Sequence, residues 1–171
     1  YIENAEYDSC TFIKCKIAGI NLAEMKFIDC EFIDCDLSNA DLSITSFQDV
    51  SFRNCKLLGL QFEHCNDFGL ALKFENCILN NSSFYQMKLK NTVFVDSRLH
   101  DVDFTEADLG NSSFTACDLH NAVFENTNLE KADFREAANY SIDPENNRIK
   151  GAIFSLTNVI GLLDKYDIEI K

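Results

Sequence analysis

The sequence predicts an all-β solenoid, a coil of square cross-section with four five-residue units to the turn, closed at its C-terminus by an α-helix. Three observations carry this prediction. Every fifth residue from Ile2 to Phe62 has a large apolar side chain, and so does every fifth residue from Phe74 to Phe134, 26 positions without an exception. The residue two places before each of these is mostly small or apolar and is never charged. The eight cysteines are spaced by 5, 15, 5, 20, 10, 12 and 40 residues, mostly multiples of five. A helix repeats every 3.6 residues and a strand every two, so neither period fits. A unit with two inward and three outward residues fits a strand that bends at each corner, with coils stacked about 4.8 Å apart.

The elements follow in order. The first series runs from Ile2 to Phe62, and Phe12, Phe32 and Phe52 recur at 20 residues, one turn apart on one face. Phe27 and Phe47 stack on an adjacent face. Phe62 and Phe74 are 12 apart, two more than the register allows, so residues 63–73 absorb a slip. Phe68 lies midway and suggests two six-residue units, each bulged at a corner, with Gly69 free to take unusual backbone angles. In the second series Phe and Leu alternate strictly, which places Phe on two opposite faces and Leu on the other two. Asn139 and Pro144 then occupy positions where centres are due, whereas Ile149 and Phe154 are back in step. Residues 135–148 therefore read as an irregular excursion, and residues 1–154 as a solenoid of roughly eight coils at the strand spacing. From Ser155 the period becomes helical, with Val159, Ile160, Leu162, Leu163 and Tyr166 on one face and Ser155 or Thr157 as its N-cap. Ile168 to Ile170 alternates like a short strand. Residues 155–171 read either as a cap over the last core layer alone or as a cap that also makes a dimer.

Composition narrows the function. The 171 residues include 15 Lys and Arg against 28 Asp and Glu, a net charge of -13 and a pI near 4.5. Such a surface repels a phosphate backbone, so a nucleic-acid ligand is not expected. A 46% hydrophobic content argues against an acidic disordered tail. No run reaches the length of a membrane span, and the first residues do not read as a signal peptide, although the chain does not begin with Met. Seven cysteines occupy the small inward position, and Cys65 joins them if the upstream register is carried into the slip. They read as reduced structural thiols, which points to the cytoplasm. His100 and His120 are 20 apart and stack on an outer face, too few ligands for a functional zinc site. No nucleophile elbow, phosphate loop or His-Glu-x-x-His motif is present, so no enzyme, cofactor or resident metal is expected. Two runs lack any Lys or Arg: Asp29, Glu31, Asp34, Asp36, Asp41 and Asp49, and the longer Asp101, Asp103, Glu106, Asp108, Asp118, Glu125 and Glu130. The longer run is the candidate partner-binding strip, an electrostatic imitation of a duplex; plain solubility by net charge explains it as well.

Ala-Asp-Leu at 40–42 and 107–109, Ala-Asp-Phe at 132–134, and Cys-Asp-Leu at 35–37 and 117–119 resemble the A(D/N)LXX repeat of the pentapeptide repeat proteins. The resemblance covers residues 2–134 and implies a right-handed quadrilateral β-helix. The acidic rod with its helix-plus-strand ending further resembles the quinolone-resistance (Qnr-type) members. That likeness implies a DNA mimic that binds a type II topoisomerase (DNA gyrase or topoisomerase IV) and is a homodimer through the C-terminal helix. Val159, Ile160, Leu162, Leu163 and Tyr166 would then form the dimer interface. Qnr-type members often carry loops projecting from the coil, while only the slip at 63–73 interrupts this one, nearer in shape to the loop-poor mycobacterial relatives. The alternative is a generic structural or interaction module with some other partner.

Overall fold

A computed structural model describes residues 3–169 and residue 171. Ile2, the first expected centre, lies outside the described residues. Eleven short strands follow the chain: β1 (Glu6–Asp8), β2 (Thr11–Ile13), β3 (Lys26–Ile28), β4 (Glu31–Ile33), β5 (Ser46–Gln48), β6 (Val50–Arg53), β7 (Leu72–Glu75), β8 (Val93–Val95), β9 (Ser113–Thr115), β10 (Asp133–Phe134) and β11 (Ile153–Phe154). All pair in parallel. β2, β4 and β6 to β11 form one eight-stranded sheet, and β1, β3 and β5 a second of three strands. Isolated bridges at the same 20-residue step, such as Lys16 to Asp36 and Asp103 to Val123, complete the other walls. The molecule is a square solenoid with four faces, numbered here from the face of Phe12.

The bends explain why the unit has five residues. The residue two after almost every centre has positive φ, as at Asp34 (+54°), Asn39 (+55°), Asn76 (+51°) and Asp101 (+56°); His64 and Glu136, after Phe62 and Phe134, are the exceptions among the centres from Tyr7 to Phe134. The amide three residues after a centre often bonds back to the centre's carbonyl, as from Ala40 to Leu37 at 3.0 Å. That is a type II turn, which needs φ > 0 at its third residue. Asn, Asp and Gly tolerate this conformation best and occupy most corners.

The first face is an unbroken ladder of Phe12, Phe32, Phe52, Phe74, Phe94, Phe114, Phe134 and Phe154. Successive rings lie 4.6–5.5 Å apart and within 12° of parallel. Eight rings span seven turns, one fewer than the length suggested. From Phe62 on, a second ladder of Phe62, Phe84, Phe104 and Phe124 descends the opposite face. Rings of the two ladders meet edge to face, as Phe84 and Phe94 do at 6.1 Å and 84°. Every centre from Ile17 to Phe134 is buried, while Tyr7 and Phe12 in the first coil are half-buried.

The slip resolves differently from the two bulged units suggested by Phe68. Ser46 pairs with Asn66, and Val50 with Leu72, so six residues of one coil oppose four of the last. Both extra residues sit in one bulge on the fourth face. Leu70, not Phe68, packs against the core, and Phe68 is 77% exposed. Asn66 starts the bulge by accepting the Phe68 amide on Oδ1 at 3.0 Å, and Gly69 turns it at φ +69°. Residues 135–148 depart less than expected. Bridges from Asp118 to Ala138 and Asn128 to Arg148 keep the coil in register. Tyr140 and Ile142 fill the core in place of Asn139 and Pro144. Asn147 takes the inward small position, bonding Thr127 N and Phe124 O.

All eight cysteines are free thiols. Cys35, Cys55 and Cys77 stack in one column, and each Sγ donates to a carbonyl of the preceding coil, Phe12, Phe32 and Phe52 respectively, at 3.3–3.4 Å. Burial pushes the Cys35 and Cys117 thiols up to about 12. They serve as small core residues with a satisfied donor.

The C-terminal segment corrects the α-helix. Among the described residues it forms two 3-10 turns, Val159–Leu162 and Asp164–Tyr166. Ser155 Oγ does accept the Asn158 amide at 3.2 Å, as a cap would. The turn then tightens because Gly161 is pressed onto the last coil. Its carbonyl accepts from Ile142 N at 3.0 Å, and a Cβ there would lie 2.1 Å from Tyr140 O. Ile168 and Glu169 are not in a strand, and Ile170 lies outside the described residues. Lys165 clasps the segment to Asp143 at 2.7 Å and Glu145 at 2.6 Å. The Lys165 ammonium holds both carboxyls below their usual range.

Candidate partner-binding face

Folding redistributes the acids. The run from Asp101 to Glu130 is about one and a half turns long, so it winds past all four faces and scatters its acids over three of them instead of forming a strip. Asp118 falls on the second face, and Asp108 and Glu130 on the fourth. These three are already engaged: His100 Nε2 lies 2.7 Å from Asp118 Oδ2, Lys90 is 3.2 Å from Asp108 and Arg148 is 2.9 Å from Glu130. Burial works against the Asp118 carboxylate, but hydrogen bonds from Asn139 and His100 hold it below the usual range. Asp101, Asp103, Glu106 and Glu125 lie on the third face or its two corners.

The register identifies what joins them there. Asn21 pairs with Asp41, Gln61 with Ser83, and Ser83 with Asp103, which pairs in turn with Val123. With its corners, this face carries Glu24, Asp41, Glu63, Asp101, Asp103, Glu106 and Glu125, and no Lys or Arg from Asn21 to Glu125. Among the described residues none of the seven is in an ion pair. The Ser43 hydroxyl, 2.6 Å from Asp41 Oδ1, holds that carboxyl low. Asp101 accepts from Asn121 at 3.1 Å and Glu106 from Gln86 at 2.7 Å, contacts that orient the carboxylates without neutralising them.

The first face is the opposite case. Counted without corners, it sets Glu31, Glu75 and Asp133 against Arg53, Lys73 and Arg135, three acids and three bases, where the third face on the same count has Asp41, Glu63, Asp103 and Glu125 and no base. Arg53 bridges Glu31 and Glu75 at 2.9 and 3.6 Å, and Arg135 grips Asp133 at 2.6 Å. A rod of charge -13 thus has one self-neutralised wall and one wall of unpaired acids. The third face is where a cationic partner gains most and displaces least.

The His100 and His120 rings stand 5.5 Å apart, tilted by 68°. Among the described residues no three His, Cys, Asp or Glu side chains are grouped to hold a metal. Val159, Ile160 and Tyr166 are exposed, Leu163 is half-buried, and Leu162 packs on the core. The expected apolar stripe is therefore divided between cap and solvent. Among the described residues no helix is long and apolar enough to cross a membrane.

The family model described as "Pentapeptide repeat region" matches residues 5–70 and 60–134. The chain belongs to the pentapeptide repeat family. Two solved structures of trypsin-treated QnrB1, described as a plasmid-mediated fluoroquinolone resistance protein, share this pentapeptide repeat fold with TM-scores of 0.71. The first is 16% identical and the alignment covers 99% of this chain and 95% of QnrB1; the second is 18% identical and covers 99% and 94%. No curated protein sequence matches this pentapeptide repeat chain.

Proposed function

We propose that this pentapeptide repeat protein is a non-enzymatic binding module that offers its third face, as a DNA mimic, to the basic DNA groove of a type II topoisomerase, DNA gyrase or topoisomerase IV, in the cytoplasm. The observation that carries this reading is the third face, seven acids on the six successive coils from Asn21 to Glu125 with no base and, among the described residues, no ion pair. The fold shared with QnrB1 supports the choice of partner. Purified protein added to a gyrase supercoiling assay, with and without a fluoroquinolone, should inhibit the enzyme or relieve the drug's effect. The effect should weaken as salt rises through about 0.1–0.3 M, where the Debye length falls below about 10 Å. Changing Asp103, Glu106 and Glu125 together to Lys should abolish it while leaving the circular dichroism spectrum intact, since all three point outward. An effect on gyrase that survives this reversal would remove the third face from the mechanism.

In the same reading two rods join through the exposed Val159, Ile160 and Tyr166, which a two-fold axis would bring against themselves. Light scattering at tens of micromolar should give twice the protomer mass, and one protomer mass for Ile160→Glu. A monomeric wild type would refute the dimer.

A further inference from the structure

Among the described residues outside the C-terminal segment, six large apolar side chains are exposed: Ile13, Ile44, Phe68, Tyr85, Val123 and Ile153. Ile13 and Ile153 belong to the first face. The other four lie on the acidic third face or along its border with the fourth. Three of them share a short stretch of that border in consecutive coils: Ile44 at a corner, Phe68 at the tip of the bulge and Tyr85 on the face.

Two of these three are there against local preference. Phe68 is the one ring among 15 phenylalanines that leaves the core, and the two extra residues of the slip are what carry it out. Ile44 has φ +59°, a conformation that a β-branched residue takes only as an outlier. The equivalent corners one turn away are Glu24 and His64, and further up Gln86, Glu106 and Asn126. With 61% of its surface exposed, Ile44 gains no packing that offsets the strain. Strain of this kind persists at positions kept for function. Between Tyr85 and the bulge lies a pocket of about 360 Å³ whose walls include Glu63, Asp67 and Lys88. Glu63 Oε2 is shielded from solvent there and has no hydrogen-bond partner among the described residues.

We propose that Ile44, Phe68 and Tyr85 are the apolar anchor of the acidic face, and that the partner is a protein whose basic groove contains an apolar pocket that receives Phe68. This rests on the reading of the third face as a docking surface and adds what charge alone lacks. Screened charges set approach and orientation, whereas a few buried aromatic side chains hold a complex together. An anchor of this type separates one basic protein from the many others that a polyanionic wall attracts.

The test is affinity for purified gyrase across about 0.1–0.3 M salt, with four proteins: wild type, the triple reversal of Asp103, Glu106 and Glu125 to Lys, Phe68→Ser, and Ile44→Asn. The triple reversal should flatten the salt dependence. Phe68→Ser should weaken binding about tenfold or more with the salt slope unchanged, the size expected for a central aromatic contact. Ile44→Asn should raise the melting temperature by roughly a few degrees as the strain is relieved, yet lower affinity. Equal binding by wild type, Phe68→Ser and Ile44→Asn, with only the triple reversal impaired, would overturn the anchor and leave the acidic face docking by charge alone. Absence of wild-type binding would defeat the topoisomerase reading and the anchor with it.

Discussion

Replacing Phe94 by Ala should cost roughly 3–5 kcal/mol of stability, the range for a fully buried ring. Phe94 is fully buried in the middle of the first-face ladder, 5.1 Å from both Phe74 and Phe114. It also takes the edges of Phe84 and Phe104 at 6.1 and 6.0 Å. The void cannot close, because each neighbour is held at the strand spacing by hydrogen bonds to coils above and below. Val93, Phe94 and Val95 pair with Ser113, Phe114 and Thr115, so collapse of the site would break that register. Urea unfolding followed by circular dichroism measures the loss as a lower midpoint. An unchanged midpoint would mean that the ladder relaxes around a missing ring and that its packing is looser than the ring spacings indicate.

Gly161→Ala should release the C-terminal segment. The added methyl would fall 2.1 Å from the Tyr140 carbonyl oxygen and 2.9 Å from its ring. The oxygen is backbone and cannot turn away. Overpacking of this kind costs about 1–3 kcal/mol and sometimes more. The segment is held by few contacts, chiefly the Ile142–Gly161 hydrogen bond, the Asn158 side chain on Ala137 O and the Lys165 clasp. It should therefore detach before the coil deforms. Amide exchange should quicken across residues 158–167 and at Ile142, while the centres from Phe27 to Phe124 stay protected. Protection of 158–167 equal to wild type would show that the segment can shift to admit the methyl.

Both expectations begin from features of very different legibility. The ladder around Phe94 is visible in the chain as written, since the five-residue spacing gives the centres and the 20-residue turn stacks them. The seat of Gly161 is not. Nothing in the sequence distinguishes Gly161 from other glycines, and Val159 to Tyr166 reads as an amphipathic helix. Only the approach of Tyr140 converts that pattern into 3-10 turns. Asn147 and Tyr140 are similar cases, because their places in the core arise from how the coil closes around Pro144.

The acidic face shows the same division. Counting acids along the chain selects Asp101 to Glu130, which includes Asp108, Asp118 and Glu130, all paired on other faces. It omits Glu24 and Glu63. Counting instead in steps of 20 residues, and of 22 across the slip, gathers Glu24, Asp41, Glu63, Asp103 and Glu125 onto one wall. That wall is therefore latent in the spacing, but it emerges only when acids are counted by turn of the coil.

By itself the sequence determined the period, the identity of the core and the opposition of the two Phe faces. These depend on one local rule, repeated in each unit: an inward large residue, an inward small one and a corner with positive φ. Tertiary structure alone decided which of Phe68 and Leu70 enters the core, how the last coil is sealed and which carboxylates are left without a cation. Those outcomes are set between coils, by partners 18 to 22 residues away, where one inserted residue pair or one close backbone contact changes which side chains meet.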